Sequence, residues 1–253
     1  MKSLSVIIIT FNAGATLEKC LKSVSELSDD IVIVDSFSTD DTPAVARRFT
    51  DRFYQQEWLG YSRQKTFALD KTKHEWVLWI DSDEEVSETL KQQIIAADEH
   101  HDGYYVNRKT WYLNRWINHC GWSPEYILRL FKNECGRFND AMLHEKFECN
   151  GKKSRLNGEL YHYTYRNIRH HIEKINQFTS IAAESMASRG KKAGWRKILS
   201  HAIGHFLKKF FIKRGFLDGT AGLVVCVLGS YYVFLKYAKL WEITNSENNA
   251  PDS

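Results

Sequence analysis

Two carboxylates two residues apart, Asp81 and Asp83, stand directly behind the apolar run Trp76-Val-Leu-Trp-Ile80. A strand that ends this way holds both acids at one edge of a sheet. Hard divalent ions such as Mg²⁺ or Mn²⁺ prefer carboxylate, water and phosphate oxygens. The pair therefore fits a cation that neutralises charge growing on a leaving diphosphate. The competing reading is a solvated acidic turn that caps the next helix, and a bare Asp-x-Asp is common by chance. Its position at a strand end favours the functional reading. Asp35 closes a second apolar run, Ile31–Val34, and precedes Ser36, Ser38, Thr39, Asp40 and Asp41. A carboxylate there accepts from ribose hydroxyls or a base N–H, or else shapes a turn that caps the helix at Thr42. Thr10–Asn12 ends a third run, where a short polar loop suits a base. Arg63 and Lys65 read equally as diphosphate contacts through charge-assisted hydrogen bonds or as a solvated helix face.

The elements that must position these residues follow from the apolar pattern. Val6–Ile9, Ile31–Val34 and Trp76–Ile80 are short continuous apolar runs, as buried parallel strands require. Between them, Gly14–Leu27 reads as a helix with Leu17, Cys20, Leu21 and Val24 on one face. Thr42 and Pro43 start another, Tyr61–Leu69 a third, and Ser87 caps a fourth that runs to Glu99. Strands alternating with helices through short connections predict an open, mostly parallel sheet covered on both faces. Ligands of such sheets bind outside the carboxyl ends of the strands, where all three polar clusters fall.

Composition sets the outer bounds. The chain has 253 residues, a formal net charge of +4, eight Trp and twelve Tyr. That length is ample for one large domain with an appendage. The aromatic residues fit a core or a membrane interface, with sugar stacking as the minority reading. The five cysteines show no C-x-x-C spacing, so they read as reduced thiols and not as a zinc site. Met1–Ser3 leads straight into a strand-like run and not an export signal, which predicts a cytoplasmic catalytic part. No G-x-G-x-x-G follows the first strand, against a dinucleotide fold. The basic residues sit on an apolar-striped helix and not on an aromatic platform, against nucleic acid as a partner.

The ordered set Val6-Ile-Ile-Ile-Thr-Phe-Asn12, Ile33-Val-Asp-Ser-Phe-Ser-Thr-Asp40 and Trp79-Ile-Asp-Ser-Asp-Glu84 resembles the family 2 glycosyltransferases, inverting enzymes with a GT-A fold. The resemblance implies that Thr10, Asn12 and Asp35 hold the nucleoside, Asp81 contacts the donor and Asp83 binds the metal. Ala13 and Thr66 depart from the residues many relatives carry there, Glu and Asn. Inversion also needs a base that deprotonates the acceptor hydroxyl as it attacks opposite the leaving group. Asp140, His144 and Glu145 are the candidates. Glu145 is the expected base, with His144 orienting it or touching the donor phosphates, and the alternative for each is an ordinary surface polar contact. Asp140, Arg129 and Trp122 are assigned to the acceptor side, where Trp122 reads equally as a sugar-stacking ring or a packed core residue.

The expected boundaries are 1–165 for the catalytic domain (1–100 nucleotide-sugar half, 101–165 acceptor half), 166–243 for a helical membrane-associating region, and 244–253 for a disordered tail. Trp195–Phe211 has an apolar stripe with basic flanks, as helices on anionic membranes do, or else it packs on its own domain. Leu217–Leu235 is apolar except for Asp218 and small polar residues. A helical hairpin in or on the inner leaflet is expected rather than a full span. Gly215-Phe-Leu-Asp-Gly219, Tyr231–Lys239 and the block from Arg129-Leu-Phe131 to His144–Glu145 resemble bacterial lipopolysaccharide core β-1,4-glucosyltransferases that act on inner-core heptose. That resemblance implies a UDP-glucose donor and a lipid-anchored acceptor at the cytoplasmic face of the inner membrane. Alternatives are another UDP-sugar such as UDP-galactose, a capsule or lipid-phosphate acceptor, or a non-catalytic nucleotide-sugar-binding module.

Overall fold

The computed structural model describes residues 3–139 and 146–246. The chain forms two compact units, Met1–Thr110 with Pro124–Tyr163, and Trp111–Ser123 with Thr164–Ser253.

The first unit opens with β1 (Leu4–Thr10), α1 (Gly14–Val24), β2 (Asp30–Asp35), α2 (Thr42–Arg47), β3 (Phe53–Gln55), α3 (Tyr61–Leu69) and β4 (Trp76–Asp81). β1 lies between β2 and β4, parallel to both, with Thr10 level with Asp35 and Ile9 level with Asp81. The register therefore brings the three strand-end clusters of the sequence together at one edge. α1 buries Leu17, Cys20, Leu21 and Val24, the stripe expected from 3.6-residue spacing. Its first turn has no side-chain cap of its own. The loop after β2 supplies one, because Thr42 Oγ1 accepts from Ala13 N (2.8 Å) and Asp40 Oδ2 from Gly14 N (3.0 Å). Asp40 also accepts from Thr42 N (3.0 Å), so one carboxylate ties the starts of two helices.

The chain continues through β5 (Glu84–Val86), α4 (Glu88–Ala96) and β6 (Gly103–Tyr112), which crosses into the second unit at its end. Ser87 caps α4 as expected, accepting from Leu90 N at 3.2 Å. There β7 (Arg115–Trp116) folds back on the last two residues of β6. The first unit resumes with β8 (Glu125–Lys132), β9 (Gly136–Phe138), β10 (Phe147–Cys149) and β11 (Lys153–His162). The main sheet runs β3-β2-β1-β4-β8-β6-β11-β5. It is parallel through β3-β2-β1-β4 and between β6 and β11, with antiparallel joins at β8 and β5. One core fills the α1 face around Val6, Ile8, Leu17, Leu21 and Leu78. The other face packs Ile7, Val32, Trp79, Phe131, Phe138 and Phe147.

One cysteine expectation is corrected. β9 and β10 pair antiparallel with Gly136 opposite Cys149. That register sets the Cα atoms of Cys135 and Cys149 4.9 Å apart, and the two are joined as a disulfide. Cys20, Cys120 and Cys226 are free and buried.

The second unit contains α5 (Ile168–Ala187), α6 (Trp195–Leu207), a π turn (Lys208–Ile212), a 3₁₀ turn (Gly215–Asp218) and α7 (Gly219–Ser246). α6 and α7 pack against each other, and residues 111–123, assigned by sequence to the acceptor half, belong to this unit. Tyr112, Ile117 and Cys120 pack with Ala221, Val225 and Cys226 of α7. Asp218 is buried because His119 N (2.8 Å) and Nδ1 (2.9 Å) bond to its carboxylate. Gly222 is required at its place, since a Cβ there would lie 1.9 Å from the Gly215 carbonyl oxygen. The stretch Gly215–Asn245 is long and apolar enough to cross a membrane, by length and composition alone.

Candidate active site

The site is built at the carboxyl edge of β1, β2 and β4. β4 ends on Asp81, turns through Ser82–Asp83, and re-enters the sheet as β5 at Glu84. The sequence placed a polar loop here. β5 exists because it pairs with β11, setting Glu84 opposite His162. That pairing fixes both ends of the Asp-x-Asp turn, and Tyr163 N donates to the Asp83 carbonyl at 2.9 Å.

Beneath the turn lies a cluster of buried charges. Arg129, on β8, donates from Nη2 to Asp81 Oδ2 (3.0 Å) and Glu84 Oε1 (2.5 Å). Its guanidinium lies 3.5 Å from the centre of the Trp79 ring. Lys65, on α3, sits 3.4 Å from Asp81 Oδ1 and 3.7 Å from the same ring. Arg108, on β6, comes within 3.6 Å of Glu84 Oε1 and pairs on its outer side with Glu125. Three cations thus meet three carboxylates, Asp81, Glu84 and, on the outer side, Glu125. Burial pushes the Asp81 carboxyl up, but Lys65 and Arg129 outweigh it and hold the group far below the usual carboxylate range. Burial also raises Glu84, and there it prevails over Arg129, with the Asp81 charge adding to it. Asp81 is therefore held as a fixed anion, with the Lys65 ammonium and the Arg129 guanidinium directly against it.

Asp83 points differently. Its Oδ2 lies 3.6 Å from His162 Nε2, and a cavity of about 220 Å³ opens beside it, lined by Ala15, Thr16, Lys19, Glu84, Glu85 and Tyr163. Among the described residues no group of three or more His, Cys, Asp or Glu forms a closed metal cage. The donor set still suits Mg²⁺ or Mn²⁺, because such ions keep several waters and take one or two carboxylates together with substrate phosphate oxygens. Asp83 is the carboxylate of that turn that lines the cavity, with His162 next to it.

The nucleoside-side candidates also meet here. Thr10 is buried, and its Oγ1 has no partner among the described residues. Asn12 adopts a left-handed backbone (φ 49°). It laces two loops together, donating from its N–H to Ser38 Oγ (2.7 Å) and accepting at Oδ1 from Thr39 N (2.9 Å). Asp35 is fully buried and accepts from Ser38 N (2.9 Å) and Ser38 Oγ (2.5 Å). Two aromatic rings missed in the sequence flank these residues. Phe11 is 61% exposed, and Phe37 is 52% exposed. Phe37 has φ 59°, an uncommon conformation for a bulky side chain.

Other candidates fall elsewhere. Arg63 is on the exposed face of α3, whereas Lys65 is buried. Arg129 sits not on an acceptor surface but under Asp81, at 1% exposure, because its strand runs through the sheet beside β4. Trp122 belongs to the second unit, in an aromatic cluster with Tyr112, Tyr165 and His171. Asp140, His144 and Glu145 lie outside the described residues. The residues that flank them are pinned: Asn139 N donates to Lys146 O (3.0 Å) and Lys146 N to Asn139 Oδ1 (3.1 Å). Ser62 of α3 bonds to the Asn139 carbonyl, so the helix that carries Lys65 also anchors this neck.

A mostly parallel sheet with an Asp-x-Asp turn at the end of its fourth strand defines a GT-A-type fold. A solved mannosyltransferase from Pyrobaculum calidifontis, in complex with GDP-Man and Mn²⁺, shares that fold at a TM-score of 0.52 and 16% identity, over 94% of this chain and 87% of that one. The chain belongs to glycosyl transferase family 2, whose model matches residues 5–148, and it is a glycosyltransferase. It is 32% identical to an uncharacterized glycosyltransferase of Rickettsia typhi, covering 98% of this chain and 90% of that protein. It is 30% identical to the lipopolysaccharide core biosynthesis glycosyltransferase LpsC of Rhizobium meliloti, covering 94% and 92%.

Proposed function

We propose that the protein transfers glucose from UDP-glucose, with inversion, to an inner-core heptose of lipopolysaccharide at the cytoplasmic face of the inner membrane. The observation that carries the chemistry is the Asp81–Asp83 turn held over the Lys65–Arg108–Arg129 cluster, level with Thr10 and Asp35 across the sheet. The similarity to a lipopolysaccharide core glycosyltransferase supports the acceptor class. Phe11 and Phe37 offer π-faces to the base, and Thr10 Oγ1, Asn12 and Asp35 offer polar partners to the nucleoside. Asp81 stays ionised and fixed, and orients a hydroxyl of the donor. Asp83, with His162 beside it, would hold Mg²⁺ or Mn²⁺ against the diphosphate. The bound cation supplies Lewis-acid neutralisation of the leaving nucleotide. Glu145 takes the proton of the acceptor hydroxyl as that oxygen attacks the anomeric carbon, while His144 orients it. Asp140 is assigned to the acceptor side.

The test is acceptor-dependent UDP release, with Mg²⁺ or Mn²⁺, from a panel of UDP- and GDP-sugars with heptose-bearing truncated lipopolysaccharide. Release from UDP-glucose is expected. Release only from another sugar would move the donor assignment, and absence of UDP binding would remove the whole reading. Folded Asp83→Ala and Glu145→Gln variants are expected to lose transfer, Glu145→Gln by at least about 10²-fold, the usual scale of a lost general base. Full activity in either would strip that residue of its role.

A further inference from the structure

The second unit carries a surface that the chemistry of transfer does not use. Between Glu184 and Asp218 the chain has nine Lys and Arg and no Asp or Glu. Asp218 itself is buried against His119 and offers no charge to solvent. Within the same stretch the apolar side chains of Ile203, Leu207, Phe211, Ile212, Phe216 and Leu217 are exposed. Ile212 is the extreme, at 73%. Four of these, Phe211, Ile212, Phe216 and Leu217, flank the corner where α6 opens into the π turn and Arg214 takes a left-handed backbone (φ 53°) before the 3₁₀ turn. Lys208, Lys213 and Arg214 are exposed between them.

We propose that this corner seats in the headgroup layer of an anionic bilayer. Phe211, Ile212, Phe216 and Leu217 enter the acyl boundary, while Lys208, Lys213 and Arg214 lie at the level of the lipid phosphates. The proposal deepens the membrane-face reading above and rests on it only for the biological setting. Apolar side chains interleaved with cations of a single sign fit lipids, which offer hydrocarbon and negative charge at adjacent depths. A nucleic acid offers the charge without the hydrocarbon. A second copy docked through the same face would bring cations against cations.

The seating is on the membrane and not through it. α7 is long enough to cross, yet it packs against both α5 and α6. Lys239 Nζ is bound to Asn176 O (2.7 Å), Asn176 Oδ1 (2.7 Å) and Ser180 Oγ (2.8 Å) of α5. α5 in turn exposes Arg169 and Glu173. A crossing α7 would either drag those charges into hydrocarbon or lose its partners.

The experiment is flotation of the full chain with phosphatidylcholine vesicles, with and without phosphatidylglycerol, alongside UDP binding in solution. Binding is expected only to the anionic vesicles and is expected to weaken with salt. Phe211→Ser with Ile212→Ser should abolish it. Removing Lys208, Lys213 and Arg214 as a triple serine variant should weaken it on the order of a hundredfold, roughly fivefold per cation. All variants should bind UDP as the parent does. Equal binding to neutral vesicles, no flotation at all, unchanged binding by the variants, or retention in native membranes after alkaline carbonate extraction would each overturn the proposal. Absence of UDP binding by the parent would overturn the UDP-glucose reading and leave the flotation result standing.

Discussion

Arg129 is the residue on which the active-site edge depends most. One nitrogen joins Asp81 to Glu84, and the guanidinium covers Trp79, so its removal leaves two carboxylates facing each other with reduced compensation. Arg129→Met is expected to destabilise the first unit by about 3–5 kcal/mol, the cost of breaking a buried pair. Arg129→Lys should recover only part of this, because an ammonium cannot span both acids. The pH dependence has a definite sign. Asp81 is depressed in the fold, so its contribution is present above its ordinary value of 3.8 and is lost as the pH falls below it. Glu84 is raised, so its protonated form is favoured, and its contribution is lost as the pH climbs above 4.5 through the raised value. Arg129 lowers both carboxyls, so its removal lessens the depression of Asp81 and adds to the elevation of Glu84, moving both upward. The stability gap between parent and Arg129→Met should therefore narrow on acidification from pH 7. Urea denaturation at both ends of that range measures it, and a constant gap would exclude the charge network as the cause. Asp81 and Asp35 were legible in the sequence because each directly follows an apolar run, and Asp83 because it stands two residues beyond Asp81. Glu84 was legible only as part of the motif, while Arg108, His162 and the true place of Arg129 were not. They reach the site through pairing of β8, β6 and β11, strands distant along the chain, and no local pattern encodes that pairing.

Elements differ in how far sequence period can find them. β1, β4 and α1 follow from continuous apolar runs or a 3.6-residue stripe that a core face requires. β5, β9 and β10 are three residues each, too short to show any period, and exist by pairing with a neighbour. The β9–β10 pairing also explains the disulfide. Closing 14 residues, Cys135–Cys149 should stabilise the oxidised protein by about 3 kcal/mol. Cys135→Ser should lower the oxidised protein's melting temperature to that of the reduced parent, and a melt that ignores reductant would count against the bond. α5 carries a different device. His171 is buried, stacked on Tyr165 at 3.8 Å, with Nδ1 2.9 Å from the Tyr112 hydroxyl. Burial, helped by Lys174 and His170, pushes its pKa down from 6.5 to about 4. A depressed histidine contributes stability that is present above pH 6.5 and is lost as the pH falls to 4. That span is worth about 3 kcal/mol. His171→Phe should be weaker at neutral pH, where Tyr112 loses its partner, and flatter between those limits. Parallel curves for parent and variant would contradict the assignment.

For the whole molecule, the informative feature is that the second unit is assembled from two separate pieces of chain. A boundary at 165/166 looked natural because the composition changes there, from aromatic strands to basic helices. Composition could not show that 111–123 leaves the sheet, since Tyr112, Ile117 and Cys120 read as ordinary core residues of either unit. Their partners are Ala221, Val225 and Cys226, about a hundred residues downstream. A chain cut after Tyr165 therefore keeps the apolar side of an interface whose other half is gone. It is expected to aggregate, by the logic of any large exposed apolar patch. The geometry also supplies the rescue. Arg108 and Glu125 face each other in the β6–β8 ladder, joined at 2.9 Å, so the two ends of the excursion lie side by side. Replacing Trp111–Ser123 with a short Gly-Ser turn in the truncated chain should rejoin the strands without strain. It should restore a soluble protein with a single cooperative melt and UDP binding. If the simple truncation is soluble and binds UDP as well as the rejoined chain does, then 111–123 does not depend on α7 and the two-piece assembly of the second unit is wrong.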